Sequence, residues 1–442
     1  MASKRCLEDK LNWKITDLKE WDEKIRKIAA KHNLDWYPID YEVCDYYEMI
    51  GHMSYHGMPT YYGHWSFGKS FERTHQFYNM GMTGLPYELI INSNPSIAYL
   101  MRENPLYLQV LIMAHCVGHS DFFKNNVEFK NTYPGDVIFR FNSAKKRIQS
   151  YIEDPTIGIE KVEKIIDACH AIQYQIDRTN RDRLTDKEKR ERLRGTEFSK
   201  SGLILFDIEK VPVEPDYDIL GFMIEHGKHL EPWVQDVLEI VRDSSYYFMP
   251  QIKTKVLNEG WACFWHYRIL NELNLPDSLH IPFLKSHNQV VCPQASKINP
   301  YHLGFHIFNK IEKEYGLEEC FFVRENMNDI SAIRQFIDRK DCEELNLFSY
   351  SHKKENVSVD EVSDEDGWKK VKESLIMTTG INNIPVIYVD ELIDNNILVL
   401  RHEHDGRDLE LTYADEVKCH IQDIWGSEVK IFTKIENEKW EI

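Results

Sequence analysis

The sequence predicts a mainly helical protein, with a large helical domain over residues 1–350, a linker over 351–366 and a small α+β domain over 367–442. Apolar residues recur at spacings of three and four up to about residue 350, which is the periodicity of an amphipathic helix. After residue 367, short apolar runs alternate with Asn-Asn and Asp-Gly turn signals, a pattern typical of strands. A length of 442 residues with 42% hydrophobic residues is enough for two or three globular domains.

The helices are predicted from periodicity and cap signals, in chain order. Residues 17–31 place Leu18, Trp21, Ile25 and Ile28 on one helical face. Asn94-Pro95 and Asn104-Pro105 each have the residues of a helix start, since Asn caps free amides and Pro tolerates the first helical position. The second start opens a helix over 106–125 that is apolar on nearly every side, which predicts burial. Further helices are predicted at 159–178, 231–242, 251–273 and 300–315.

Two polar stretches separate these elements from the C-terminal region. Residues 178–194 contain eight basic and four acidic residues, which is typical of a solvated helix end or loop. Residues 351–366 have few apolar residues and therefore make the best candidate linker. Beyond them we predict a helix from Trp368, strands at 385–389, 397–401, 409–413 and 429–433, and a helix through Ile424 before the last strand.

Charge and cysteine content restrict the compartment and the partners. The formal net charge is −18, and so acidic a surface repels nucleic-acid phosphates and anionic lipid heads. No apolar run approaches the ~18 residues of a membrane span, and the first ten residues lack the apolar core of a secretory signal. Nine Cys without a C-x-x-C pair favour reduced thiols. We therefore expect a cytoplasmic protein without a nucleic-acid partner or a membrane span, of open oligomeric state.

His115 and His119 form the first candidate for a chemical site. They lie four residues apart on one face of the predicted buried helix, so the pair can chelate one metal ion. A buried imidazole without a partner is costly, so each requires either a hydrogen bond or a metal. The same spacing recurs in two less apolar stretches, at His52/His56 and His302/His306. At those two pairs we expect surface histidines or hydrogen-bonded core histidines.

A second predicted helix supplies a carboxylate. Glu259, Cys263 and His266 fall at i, i+4 and i+7, which aligns them along one stripe. Two His from one helix and a Glu from another would leave an open position on a zinc-like divalent ion. The alternative is that Glu259 caps or pairs with a neighbouring helix. His266 and His287 are the candidates for acid–base catalysis.

Cys116 argues against ordinary peptidase chemistry. In H-E-x-x-H metallopeptidases the Glu beside the first His is the general base. Here that position is Cys116, and a thiol is a poor base at neutral pH.

Several further motifs are spread along nearly the whole chain: Tyr61-Tyr-Gly-His-Trp-Ser-Phe-Gly-Lys, Leu89-Ile-Ile-Asn-Ser-Asn-Pro, Met113-Ala-His-Cys-Val-Gly-His, Asn258-Glu-Gly-Trp-Ala, His287-Asn-Gln-Val, Asn299-Pro-Tyr-His-Leu-Gly-Phe and Leu400-Arg-His-Glu-His-Asp-Gly. In sequence and in order they resemble the motifs of the stage V sporulation protein R (SpoVR) family. The resemblance implies a cytoplasmic bacterial protein linked to spore cortex formation in spore formers and to stress responses elsewhere. Members of the family are often encoded beside a serine kinase and a von Willebrand A-like protein. The resemblance therefore implies these two as possible protein partners.

The family in turn is similar to gluzincin-type peptidases, which implies gluzincin-like metal-site helices here. That similarity rests on His115, Gly118, His119 and Glu259, and it departs at Cys116. Zinc is the expected ion. His402 and His404 also lie in a family motif, where we expect a turn or a domain contact rather than a metal.

Two functional hypotheses follow, and a third ranks below them. The first is a metal-dependent enzyme, hydrolase-like or otherwise, acting on a precursor or regulator connected with the cell envelope. The second is a non-catalytic pseudo-metallopeptidase scaffold that binds regulatory partners. The third is a two-metal carboxylate site that recruits Glu72 and His75, a single E-x-x-H pair.

Overall fold

The computed structural model describes residues 13–80, 88–179, 215–294, 298–353, 356–394, 396–436 and 438–442, together with 181, 184, 187–189 and 191. The helices are α1 (Ile15–Lys31), α2 (Tyr46–Ser54), α3 (Trp65–Asn79), α4 (Leu106–Asn125), α5 (Val137–Glu153), α6 (Ile159–Ala171), α7 (Ile219–His226), α8 (Pro232–Lys253), α9 (Lys255–Glu272), α10 (Asp277–Val290), α11 (Pro300–Tyr315), α12 (Leu317–Asn326), α13 (Asp329–Phe336), α14 (Arg339–Glu344), α15 (Trp368–Thr378) and α16 (Leu411–Trp425). The strands are β1 (Ile39–Cys44), β2 (Glu88–Ile91), β3 (Ser96–Met101), β4 (Phe348–Lys353), β5 (Asn356–Val362), β6 (Ile387–Ile393), β7 (Ile397–His402), β8 (Val429–Ile435) and β9 (Glu438–Glu441). Short 3₁₀ helices lie at Val127–Phe129 and Gly380–Asn383.

The prediction of a mainly helical protein with a small sheet-containing C-terminal region is confirmed. Within the described ranges, no helix combines the length and the apolar character needed to cross a bilayer. The contacts divide the chain into a first unit, Met1–Lys146 with Pro250–Asn383, and a second unit, Arg147–Met249 with Ile384–Ile442. The domain boundary predicted at residues 351–366 stays a prediction; at this place β4 and β5 form an antiparallel hairpin.

Helix α9 lies at the centre of the first unit, packed between α4 and α11. Two glycines permit this packing. A Cβ at Gly118 of α4 would lie 2.7 Å from Ala262 Cα, and a Cβ at Gly260 would lie 2.3 Å from the backbone carbon of Gly304 in α11. Because real Cβ atoms do not approach so closely, only glycine lets these helix backbones come together.

The start of α9 is fixed from another helix. Thr254, the residue before α9, makes no side-chain cap hydrogen bond. Instead, the buried carboxylate of Asp329 in α13 accepts hydrogen bonds from the backbone N–H groups of Val256 and Leu257, at 2.9 and 2.8 Å. These bonds satisfy two of the amides that a helix leaves free at its N-terminus.

The helix start predicted at Asn94-Pro95 is wrong. Residues 96–101 form β3, which pairs parallel with β1 and antiparallel with β2 in a three-stranded sheet of order β1-β3-β2. The Asn-Pro signal was misleading because the following segment, Ser-Ile-Ala-Tyr-Leu-Met, fits a strand paired on both sides. Neither β1 nor β2 is predicted by the sequence pattern.

Helix bounds agree best where both ends carry a cap signal. Helix α11 covers the predicted residues 300–315, opened by Asn299 and closed before Gly316. Helix α6 ends at Ala171, short of the predicted residue 178, whereas α8 continues to Lys253, well beyond the predicted residue 242. Most of the charged run 178–194 lies outside the described residues.

In the second unit, a four-stranded sheet has the order β6-β7-β8-β9. The strands predicted near 385–389, 397–401 and 429–433 are confirmed as β6, β7 and β8. The strand predicted at 409–413 is wrong, because α16 begins at Leu411. The Glu410 side chain accepts a hydrogen bond from the backbone N–H of Tyr413 at 2.7 Å, and this cap favours the helix over the strand.

Candidate metal site

Strand β2 and helices α4 and α9 bring four ligand-type side chains together in the first unit. His115 Nε2 lies 3.5 Å from Glu259 Oε2 and 3.7 Å from Glu88 Oε1, and His119 Nε2 lies 3.4 Å from Glu259 Oε2. In a tetrahedral site with metal–ligand distances of ~2.0–2.1 Å, the ligand atoms are roughly 3.3–3.4 Å apart. The observed separations therefore fit one small divalent ion.

Two atoms of this cluster are buried and unsatisfied. His115 and Glu259 are 2% and 4% exposed, and His115 Nε2 and Glu259 Oε2 have no hydrogen-bond partner among the described residues. Leaving a buried polar atom without a partner costs about 1–3 kcal/mol. A cation between these two atoms would satisfy both of them.

Neighbouring residues orient the side chains of His119 and Glu259 in the cluster. His119 Nδ1 lies 2.9 Å from the amide oxygen of Asn258, which accepts a hydrogen bond and so assigns the proton to Nδ1. His119 Nε2 then offers its lone pair to the cluster. The Lys255 ammonium pairs with Glu259 Oε1 and leaves Oε2 facing the two imidazoles.

The charges of the cluster agree with this arrangement. Burial raises the pKa of Glu259, but the Lys255 ammonium and the imidazoles of His115 and His119 outweigh burial and hold the pKa well below its ordinary value. Burial lowers the pKa of His119, yet the Glu259 carboxylate more than compensates and the net pKa is raised. Glu259 is therefore an anion, and its charge attracts either a proton or a metal ion to the space between Oε2 and the imidazoles of His115 and His119.

The two histidines predicted for acid–base catalysis form a chain with a predicted ligand. His115 Nδ1 lies 2.8 Å from His266 Nδ1, and His266 Nε2 lies 2.8 Å from His287 Nδ1. Burial and the neighbouring imidazoles hold the pKa of His266 well below its ordinary value, and burial with the His115 charge lowers the pKa of His287 to about 4. Both rings are therefore neutral at pH 7, and both nitrogens of His266 are engaged within the protein.

Both cysteines of the two site helices are protonated thiols at neutral pH. Burial and the charge of Glu88 raise the pKa of Cys116 well above its ordinary value, and burial with the charge of Glu259 does the same for Cys263. Cys116 cannot serve as a general base, in agreement with the sequence argument. Cys263 nevertheless belongs, with His115 and His266, to a group of atoms that could hold a metal ion; Glu88, His115 and His119 form another such group, and Glu259 belongs to neither.

A third group with suitable atoms, His306, Asp341 and Glu344, lies on α11 and α14. Its charges are already balanced, because His306 Nε2 lies 2.8 Å from Asp341 Oδ1 and the Lys310 ammonium lies 2.6 Å from Asp341 Oδ2. His306, Asp341 and Lys310 therefore form an ion-pair network, while Glu344 lies 3.6 Å from the Lys340 ammonium.

The remaining histidines of the sequence analysis have other contacts. The His52 ring stacks on Tyr99 at 3.8 Å, and His75 contacts Asn79 at 3.1 Å. His402 lies 2.9 Å from Thr433 Oγ1, and His404 lies 2.9 Å from Asp408 Oδ1. Over the described residues, none of His52, His56, His75, His402 and His404 falls in a group that could hold a metal ion.

Sequence reasoning missed Glu88, Lys255 and Tyr301. Glu88 lies on a strand that was not predicted, so no spacing connects it with α4. The Tyr301 ring stacks against His115 at 6.2 Å, and the negative charge of Glu259, followed by burial, raises its pKa well above its ordinary value. Lys255 lies one turn before Glu259 on α9, a spacing that could have revealed the pair.

Comparisons with known proteins cover nearly the whole chain. A family model with the description "SpoVR like protein" matches residues 12–384, and one with the description "SpoVR-like C-terminal domain" matches residues 382–436. The chain is similar to the "Uncharacterized protein YcgB" of Escherichia coli (strain K12), with 33% identity over an alignment of 477 residues that covers 96% of this chain and 93% of that protein. No solved structure matches.

Proposed function

The chain belongs to the SpoVR family, and we propose that this member binds one divalent metal ion through His115, His119 and Glu259. The observation that carries the proposal is the pair of buried, unsatisfied atoms, His115 Nε2 and Glu259 Oε2, at 3.5 Å from each other. Two imidazoles and a carboxylate are a ligand set typical of zinc. That the two helices correspond to the metal-site helices of gluzincin-type peptidases is part of this proposal. Such an ion supplies a Lewis acid when bound.

We assign His266 and His287 a positioning role rather than the acid–base role expected from the sequence. If His115 uses Nε2 as a ligand, its Nδ1 must carry the proton and donate to His266 Nδ1. The proton of His266 then lies on Nε2 and is donated to His287 Nδ1. The hydrogen-bonded series His115–His266–His287 would thus orient His115 in the tautomer that a metal requires.

A second candidate function is metal-dependent hydrolysis, and Glu88 is the observation that favours it. The H-E-x-x-H base is absent because Cys116 occupies its position, but the Glu88 carboxylate approaches the site from β2, with a side chain 13% exposed. A carboxylate beside the cluster and partly open to solvent can accept a proton from water as a general base.

The non-catalytic scaffold remains the alternative, supported by Cys116 and by the separate match of a C-terminal family domain. The family name supports a link to sporulation. We propose a role in spore cortex formation, or in an envelope or stress response, on that link and on the family resemblance of the sequence motifs. A cytoplasmic location, with the serine kinase and the von Willebrand A-like protein as partners, is part of the same proposal.

Metal analysis of purified protein tests the proposal. Wild-type protein from metal-supplemented medium should contain close to one metal ion per chain by plasma mass spectrometry, and His115→Ala/His119→Ala should contain none. His52→Ala/His56→Ala has the same spacing and serves as the matched control, which should keep the metal. Wild-type protein without metal, and with the same melting temperature as the double variant, would contradict the proposal.

Glu88→Gln separates a ligand from a base. If Glu88 is the base, this variant keeps the metal content of the wild type, whereas Glu259→Gln loses it. A Glu88→Gln protein that loses metal as completely as Glu259→Gln would show that Glu88 is a ligand and would remove the observation that favours hydrolysis.

A further inference from the structure

A cleft in the first unit lies apart from the metal ligands. It has a volume of about 930 Å³ and is lined by α1, β1, the end of β3 and Met113 of α4. Met113 is two residues from His115 and therefore about 200° around the helix axis, so the cleft and the ligands lie on different sides of α4. Small-molecule sites have volumes of roughly 300–1,000 Å³, and this cleft lies within that range.

The inner walls of the cleft are mostly apolar. Leu18 of α1, Ile39 and Val43 of β1 and Leu100 of β3 line it. The inner charged groups, Arg26 and Asp22 of α1, form an ion pair of 2.8 Å between Nε and Oδ2, and Asp22 Oδ1 is buried without a hydrogen-bond partner among the described residues. The inside of the cleft therefore suits an apolar body rather than a strongly charged one.

The rim of the cleft is positively charged. Lys14, Lys19 and Arg102 are exposed at its edge, and none of the three pairs with an acidic side chain among the described residues. Asp40 is the acidic residue of the rim. In all, four basic and two acidic side chains line the cleft, so it is locally positive on a chain whose formal net charge is −18.

We propose that this cleft binds a small amphiphilic anion, with an anionic head group on an aliphatic chain. The unpaired cations of the rim attract and hold the head group, since a positive patch on an acidic protein concentrates anions there. The apolar walls bury the aliphatic chain, and each buried methylene group contributes to the affinity. A nucleic acid lacks the apolar body that these walls require.

Isothermal titration calorimetry with decanoate tests the proposal, with 1-decanol as the uncharged probe of the same length. Wild-type protein should bind decanoate at least tenfold more tightly than 1-decanol, and added salt should reduce this difference. Lys19→Ala/Arg102→Ala should weaken decanoate binding about tenfold. The matched control Lys27→Ala removes an exposed lysine of α1 that does not line the cleft and should leave the affinity unchanged.

Three results would overturn the proposal. They are equal affinity for decanoate and 1-decanol, no binding of decanoate, and unchanged decanoate affinity in Lys19→Ala/Arg102→Ala at an unchanged melting temperature. The metal variant His115→Ala/His119→Ala should bind decanoate as the wild type does. The cleft is therefore tested independently of the metal site.

Discussion

At the scale of single residues, the metal proposal depends on which nitrogen of each imidazole carries its proton. The amide oxygen of Asn258 can only accept and therefore fixes the proton of His119 on Nδ1, while His266 Nδ1 lies where it would accept the Nδ1 proton of a metal-bound His115. Such neighbours of metal ligands typically change metal affinity by about 10–100-fold when they are removed.

We therefore expect Asn258→Ala to weaken metal affinity by about 10–100-fold, because His119 loses the acceptor that holds its Nδ1 proton. Competition with a chelating dye measures the affinity. The matched control is Asn271→Ala, which removes an exposed Asn from the same helix and should bind metal as the wild type does. Equal affinities in the two variants would contradict the role of Asn258.

The same scale shows how much of the site the sequence could predict. His115, His119 and Glu259 were found because helical spacing places them on helix faces, and a helix apolar all round must be buried. Glu88 could not be found, because its position beside His115 depends on the packing of β2 against α4, a tertiary contact without a local signal. The acid–base role of His266 stays a prediction, and spacing alone cannot reveal that both of its nitrogens are engaged.

At the scale of elements, the position of Glu259 depends on how closely α9 approaches α11. A methyl group at Gly260 would collide with the backbone of Gly304. We expect Gly260→Ala to lower the free energy of unfolding by about 1–3 kcal/mol, since the two helices must separate. Chemical denaturation measures the change.

The control for this prediction is Gly68→Ala, in helix α3. A Cβ at Gly68 would meet no atom within 4 Å. Since alanine is the better helix former by up to about 1 kcal/mol, this variant should be as stable as the wild type or more stable. Equal destabilisation of both variants would argue against the close approach of α9 and α11.

The cap of α9 gives a prediction about pH. Burial raises the pKa of Asp329 from its ordinary value of 3.8 to about 7, while its backbone hydrogen bonds oppose this shift. Between pH 3.8 and about pH 7, Asp329 of the folded chain holds a proton that it has released in the unfolded chain. The contribution of Asp329 to the free energy of unfolding therefore falls as the pH rises.

We therefore expect the free energy of unfolding of the wild type, relative to Asp329→Asn, to be more favourable at pH 5 than at pH 8. Urea denaturation of both proteins in the presence of a chelator measures this difference without a contribution from metal. A difference that stays constant, or grows with pH, would contradict the raised pKa.

The elements also show where sequence patterns succeed. Helix α11 was predicted at its observed bounds because a cap and a terminal glycine mark its two ends. The sheet of β1, β2 and β3 was missed because its strands are short and β1 is distant in sequence from the other two. Such strands gain their stability from pairing rather than from a local pattern. The alternation of apolar residues at 409–413 predicts a strand, but the side chain of Glu410 caps a helix that begins at Leu411.

At the scale of the whole molecule, metal binding and folding stability are linked. A ligand that binds only the folded chain adds about 2.7 kcal/mol to the free energy of unfolding at a hundredfold excess over its Kd. We expect zinc in such excess to raise the melting temperature of the wild type by several degrees and to leave that of His115→Ala/His119→Ala unchanged. Calorimetry measures both, and an equal rise in the two proteins would indicate binding elsewhere.

The hydrophobic periodicity and turn signals predict the fold class but not the organisation of the chain. The first unit is formed from two separated stretches of chain, Met1–Lys146 and Pro250–Asn383, and so is the second. A reading along the sequence divides a chain at polar stretches such as 351–366, and it cannot detect that segments distant in sequence share one core. The net charge of −18 likewise conceals the positive rim of the cleft beside α1.

The most direct test of the central claim is anomalous diffraction from crystals of the metal-loaded protein, recorded above and below the absorption edge of the bound metal. The account predicts one strong anomalous peak bounded by His115 Nε2, His119 Nε2 and Glu259 Oε2. Metal peaks elsewhere in the crystal, with no peak between these three atoms, would contradict it.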